Sequence, residues 1–206
     1  MGSWIQRASM PTPRHDLQTV AVDGKIYAIS GAGYLTVDAV EIYEVGTDTW
    51  TQGPPIPTKR GWLGADLLDN KIYVAGGKTI RTSEEKQSSG DDTHFKIRDA
   101  LEVLDLESQT WSTLEPLREP RAGVSVTACG GKIYSVGGKG IDYSEATEIY
   151  DIEAGTWSSD TPLPAKCAWL DAAVVDGRIF VMGGAYRLSK EKLVYKWFDE
   201  VYEFVL

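Results

Sequence analysis

Four tryptophans, Trp4, Trp50, Trp111 and Trp157, divide the 206-residue chain into units of nearly constant content. Ten residues after each stands Arg14, Arg60, Arg121 or Cys167, and seventeen further on stands Gly31, Gly77, Gly138 or Gly184, without slippage in any copy. The second half of the unit varies. From that glycine to Tyr43, Leu104, Tyr150 and Tyr202 there are 12, 27, 12 and 18 residues, so the second and fourth copies carry insertions of 15 and 6. A period near 46 residues, with all length variation in one loop, belongs to repeat architectures in which no unit buries its apolar face alone.

Within each unit the pattern is all β. The short apolar runs TVAV, ADLL, SVTA and AAVV precede the turns DG, DN, GG and DG, pairs that accept positive φ and so favour tight hairpins. KIYAISG, KIYVAGG, KIYSVGG and RIFVMGG follow as β-branched and aromatic strands closed by glycine. AVEIYEV, ALEVLDL, ATEIYDI and DEVYEFV alternate well enough to bury one face as third strands. A fourth strand carries the tryptophan, and the proline-rich PPIP, EPLREP and TPLP segments beyond it bar a helix.

Thirty acidic against 21 basic residues give a formal net charge of -9, which offers no electrostatic footprint for nucleic acid or an anionic membrane. The longest apolar runs are too short to span a bilayer and MGSWIQRASM lacks a signal-peptide core, so a cytoplasmic location is expected. Cys129 and Cys167 read as free thiols, and His15 and His94 lack ligand spacing, so neither a metal nor a cofactor is expected. Asp91, Asp92 and His94 lie in TSEEKQSSGDDTH, which reads as a solvated polar loop.

With its glycine pairs, downstream tyrosine and tryptophan in order, the chain resembles a run of kelch repeats over essentially its whole length, 1–206, read as one domain. Unit one has Ser30-Gly31 for the glycine pair, unit two has Leu104 for the tyrosine and unit four has Cys167 for the arginine. The resemblance implies an all-β, kelch-type β-propeller of four four-stranded blades. The chain opens on the fourth-strand sequence SWIQRASMP and ends on the third strand DEVYEFVL, so the N-terminal strand is expected to complete the C-terminal blade and close the ring. Kelch propellers usually have more blades. An eight-bladed ring shared by two chains and a partial propeller therefore stand as alternatives.

The resemblance also directs attention to the face that holds the loops into the innermost strands, where kelch proteins commonly bind partners. Two residues after the repeat arginine stand Asp16, Trp62, Gly123 and Trp169. Trp62 and Trp169 are expected as two aromatic walls of one mouth, roofed by the insertion loops 78–99 and 185–198. Arg14, Arg60 and Arg121 are expected between them with Asp16 and Asp171, and Tyr34, Tyr143 and Tyr186 in the facing loops. Tryptophan and arginine dominate recognition surfaces because they join apolar area to directional polar contacts. The reading leans away from an enzyme, toward a non-catalytic module for a protein or peptide partner. The alternative is a small-molecule, sugar-type role resembling the kelch-type sialic-acid mutarotase, with Asp16, Asp171 or Glu119 supplying a carboxylate.

Overall fold

The computed structural model describes residues 2–84, 94–189 and 194–205. Blade one is the meander β1 (Gln18–Val22), β2 (Lys25–Ile29), β3 (Val40–Glu44) and β4 (Thr49–Gln52). Blade two is β5 (Gly64–Leu68), β6 (Lys71–Ala75), β9 (Leu101–Asp105) and β10 (Thr110–Leu114); its insertion folds back as a two-stranded ribbon, β7 (Lys78–Ile80) and β8 (Phe95–Ile97). Blade three is β11 (Ser125–Cys129), β12 (Lys132–Val136), β13 (Thr147–Asp151) and β14 (Thr156–Asp160). Blade four has β15 (Asp171–Val175), β16 (Arg178–Met182) and β19 (Val201–Phe204), with a ribbon of β17 (Ala185–Arg187) and β18 (Tyr195–Trp197). The protein is a four-bladed β-propeller of small antiparallel sheets.

The first hairpin of each blade turns where the sequence says it should. Asp23-Gly24, Asp69-Asn70, Gly130-Gly131 and Asp176-Gly177 all take positive φ, the conformation that matches strand twist across a two-residue turn. Apolar residues on the two faces of each blade then meet the neighbouring blades. Val20, Tyr27, Ile29 and Val40 of blade one pack on Leu63, Ile72, Val74 and Leu104 of blade two. Tyr73, Leu101 and Val103 pack on Val126, Tyr150 and Trp157, and Tyr134, Val136 and Ile149 pack on Leu170, Ile179 and Val181. Inner strands approach closely: a Cβ on Gly64 would lie 2.5 Å from Val126 Cγ2, so only glycine fits there.

The repeat tryptophans tie one unit to the next by a bond the sequence spacing already contains. Trp50 Nε1 donates to Ala8 O (2.8 Å), Trp111 Nε1 to Pro54 O (2.9 Å) and Trp157 Nε1 to Glu115 O (2.8 Å). Each acceptor lies four residues beyond the preceding tryptophan. The chain end before blade one thus occupies the place that a linker occupies between the other blades.

Two expectations need correction. Residues 2–10 form no strand, and among the described residues β19 has no partner beyond β16, so the N-terminal segment does not complete blade four. The segment is held instead on blade one, by Trp50 and by Asp48 Oδ1, which accepts from Ala8 N at 2.8 Å. Trp4 projects fully into solvent. Inner strands meet in the series β1, β5, β11, β15, and the outer face of the last blade is uncovered: Val201 is 60% exposed where its counterpart Val40 is 0%.

The second correction concerns register in blade four. Phe204, not Tyr202, stands opposite Ile179, as Tyr150 stands opposite Ile133, Tyr43 opposite Ile26 and Leu104 opposite Ile72. Tyr202 instead faces Val181, the place of Glu41, Glu102 and Glu148 in the other blades. In those blades the glutamate meets a buried repeat arginine. Blade four has Cys167 there, and a glutamate without that arginine would be a buried, unpaired charge. The slip of two residues puts a neutral tyrosine at the glutamate's place, on the cavity that Cys167 also lines.

Candidate functional site

The central mouth is built from four equivalent residues, one per blade. Asp16, Trp62, Gly123 and Trp169 all lie in the left-handed region, with φ of 52°, 55°, 62° and 60°. That turn aims each backbone amide at the preceding blade. Trp62 N donates to Asp16 O (3.0 Å), Gly123 N to Trp62 O (2.8 Å) and Trp169 N to Gly123 O (2.8 Å). Left-handed φ is uncommon for a bulky side chain and costs on the order of 1 kcal/mol or more. Glycine is the unstrained choice, yet only blade three uses it.

Both tryptophans line one cavity of about 280 Å³ together with Asp16, Gln18, Gly123 and Asp171. Each leans back on the blade before it. Trp62 stands edge-on to His15 of blade one, with ring centroids 5.9 Å apart, and Trp169 to Tyr143 of blade three at 5.8 Å. Trp169 also covers Gly123, where a Cβ would come within 2.8 Å of the indole Cδ1. The glycine in blade three is therefore the seat for the tryptophan of blade four.

The described ends of the insertions reach these indoles through equivalent register positions. Phe95 of β8 packs on Trp62 at 6.2 Å and Tyr195 of β18 on Trp169 at 6.3 Å. Lys78 Nζ lies 3.8 Å from the Trp62 ring centroid and 4.1 Å from that of Phe95, a cation held between two π faces. Burial there pushes the Lys78 ammonium below its usual range, Asp16 acts against that shift and Lys139 adds to it. Trp62 is thus largely occupied by the protein itself, whereas Trp169 remains 45% exposed. Residues 85–93 and 190–193 of the expected roof, with Asp91 and Asp92, lie outside the described residues.

Two carboxylates complete the mouth. Asp16 Oδ2 is 2.6 Å from His15 Nδ1, and Asp171 Oδ1 accepts from Ala172 N at 2.9 Å and weakly from Ser125 Oγ at 3.5 Å. The expected arginines are absent from this cavity. Arg14 is paired with Glu41, Arg60 with Glu102 and Arg121 with Glu148, all inside the blades. Arg60, with 0% exposure, also donates to Thr58 O and Val74 O. These guanidiniums replace missing strand-to-loop bonds and are unavailable to a ligand. Of the expected tyrosines, Tyr34 is solvent-exposed, while Tyr143 is buried and stacks edge-on with Tyr186 at 5.0 Å.

Of the residues expected at the mouth, Asp16, Trp62, Trp169 and Asp171 line this one cavity; His15, Lys78, Phe95 and Tyr195, which were not expected there, pack on the two indoles. Their only signal was position: Lys78 follows the glycine pair directly, and Phe95 and Tyr195 begin the returning strands of the two insertions. Among the described residues no group of three His, Cys, Asp or Glu side chains is placed to hold a metal ion, and no helix is long and apolar enough to cross a membrane.

Repeated meanders joined through tryptophan and glycine, with a cavity at the inner loops, define a class of propeller modules. The chain belongs to the kelch-repeat family: residues 6–184 match the KLHDC2/KLHL20/DRC7 Kelch-repeats domain. It is 29% identical over 141 residues to alpha-scruin of Limulus polyphemus, covering 66% of this chain and 15% of that protein. It is 28% identical over 148 residues to the kelch-like protein terF of Aspergillus terreus, covering 66% of this chain and 30% of that one. The chain thus spans less than a third of either relative. The solved structure of YjhT superposes with a TM-score of 0.82 over 98% of this chain and 72% of its own, at 20% identity, a likeness of fold.

Proposed function

We propose that the four blades act as one recognition module whose mouth binds a protein or peptide partner. Trp169 supplies the projecting apolar anchor, and Asp16 and Asp171 accept hydrogen bonds from the partner. The observation that carries this reading is that two tryptophans sit at left-handed positions where glycine would be unstrained. Strain of that kind persists where the side chain is needed. A large, partly exposed indole beside two carboxylates has the composition of a binding hot spot. The sugar-handling alternative calls for an arginine beside an acid, and the repeat arginines lie inside the blades.

A displayed peptide library selected on the purified protein tests the reading. Selected peptides should lose binding to Trp169→Ala, whose melting temperature stays within a few degrees of the parent, and should protect 16–18, 62–64 and 169–171 from hydrogen exchange. Binders that ignore Trp169→Ala and protect the Asp23-Gly24 and Asp176-Gly177 turns would place recognition on the opposite face.

A further inference from the structure

We propose that the side chain received beside Trp169 is a lysine of the polypeptide partner, its ammonium seated in the corner between Trp169 and Tyr195; this rests on the mouth as the binding face and specifies what binds there. Blade two shows such a corner filled. The ring centroids of Trp62 and Phe95 are 6.2 Å apart with their planes at 75°, and Lys78 Nζ lies 3.8 Å from the first centroid and 4.1 Å from the second. Two π faces meeting at a steep angle surround a compact point charge, and the ring quadrupoles attract it. A planar guanidinium stacks on one face at a time.

Blade four repeats the corner but not the lysine. The centroids of Trp169 and Tyr195 are 6.3 Å apart with their planes at 64°. Register makes the two pairs equivalent: Phe95 faces Ile80 and Lys78 faces Ile97 across the first ribbon, as Tyr195 faces Arg187 and Ala185 faces Trp197 across the second. Lys78 directly follows the glycine pair of blade two and Ala185 that of blade four, and the two form the same bridge, Lys78 with Gly61 and Ala185 with Ala168. The residue at the lysine's place is thus a buried alanine, whose side chain ends at Cβ and carries no charge. Trp62 is half-buried, whereas Trp169 keeps 45% of its surface open.

The surroundings of this second corner suit a lysine supplied from outside. Trp197, 73% exposed and 5.6 Å from Tyr195 between centroids, offers an apolar face to the methylenes of a lysine stem. Asp16 and Asp171, on the cavity that Trp169 lines, favour positive charge, and the chain as a whole carries a net charge of -9. Lys139, 4.9 Å from the Tyr143 ring centroid, and Arg187, opposite Tyr195, work against it. Acids face the mouth and bases the ribbon, so a lysine enters from the mouth side.

Nitrogen–proton correlation spectra of the purified protein, titrated with acetyl-Gly-Lys-Gly-amide and with its norleucine and arginine counterparts, test the corner at the Trp169 indole. The lysine peptide should shift that resonance and bind about fivefold or more tighter than the norleucine peptide, whose side chain has the same carbons without the charge. Ala185→Lys supplies the cation from within, as Lys78 does, and should block the lysine peptide. Lys78→Ala empties the first corner, so the Trp62 indole should begin to respond to the same peptide; this variant carries the test if Ala185→Lys fails to fold. Equal binding of the lysine and norleucine peptides, tighter binding of the arginine peptide, or no shift at Trp169 at millimolar concentration overturns the proposal. Binding that appears only after Arg187→Ala overturns it too, since the chain's own arginine would then fill the corner. Peptides selected on the mouth that need Trp169 yet bind unchanged with norleucine in place of lysine would overturn the lysine and leave the mouth standing, whereas peptides that ignore Trp169→Ala would overturn both.

Discussion

At the scale of single residues, a buried charge survives in this propeller only with its partner. Glu41 shows how the balance is struck: burial works to raise its carboxyl pKa, and the hydrogen bonds from Arg14 and Thr12 with the Arg14 charge outweigh it and bring the pKa below the ordinary value. A pKa lower in the folded than in the unfolded chain contributes stability that is complete above the unfolded value and is lost as pH falls through the folded one. Urea unfolding at pH 6 and pH 3 should therefore show a drop in stability that is smaller in Glu41→Gln. In blade four Cys167 and Tyr202 take the places of that arginine and glutamate in the repeat. The arginines were conspicuous in the sequence, but spacing does not reveal whether a guanidinium points to the mouth or into the blade. Trp62 and Trp169 divide in the same test of context. Trp169→Gly relieves left-handed strain and removes a side chain 45% exposed, so stability should move by less than about 1 kcal/mol. Trp62→Gly also removes the support of Lys78 and Phe95 and should destabilise more, as read by the same denaturation.

At the scale of strands and blades, most of the architecture was legible because the repeat spacing is rigid where the packing is rigid. Trp50, Trp111 and Trp157 each donate to the linker four residues past the preceding tryptophan, so a change in that length would break the bond. Trp157, buried against Tyr150 with centroids 5.2 Å apart, should cost about 3–5 kcal/mol as Trp157→Ala. Trp4→Ala should change the unfolding midpoint within error, since that ring meets solvent. The register of β19 was illegible for a specific reason. Alternation has a period of two, so sliding DEVYEFV by two residues keeps every side chain on the same face and leaves the pattern unchanged. What distinguishes the two registers is whether Glu200 or Tyr202 stands opposite Val181, the glutamate's place in the other blades, a matter of charge burial rather than periodicity.

At the scale of the whole molecule, the four blades stand in series and the last presents a face like those its predecessors bury. Val175, Met182 and Val201 are exposed there, beside the free edge of β19. Such an edge promotes pairing with other chains, so Met182→Lys with Val201→Lys should reduce concentration-dependent light scattering. Removing residues 1–7 should leave the melting temperature within a few degrees, because the first hydrogen bonds from this segment begin at Ala8. Sequence phase suggested that the two ends complete one blade; phase counts strands and carries no information on the angle between blades. The backbone string across the mouth has a further consequence. Its amides all point one way, leaving the Asp16 N–H at one end and the Trp169 carbonyl at the other without a backbone partner among the described residues. The rim therefore ends in a main-chain donor at blade one and a main-chain acceptor at blade four, and an extended segment bridging the two would meet them in one strand direction only.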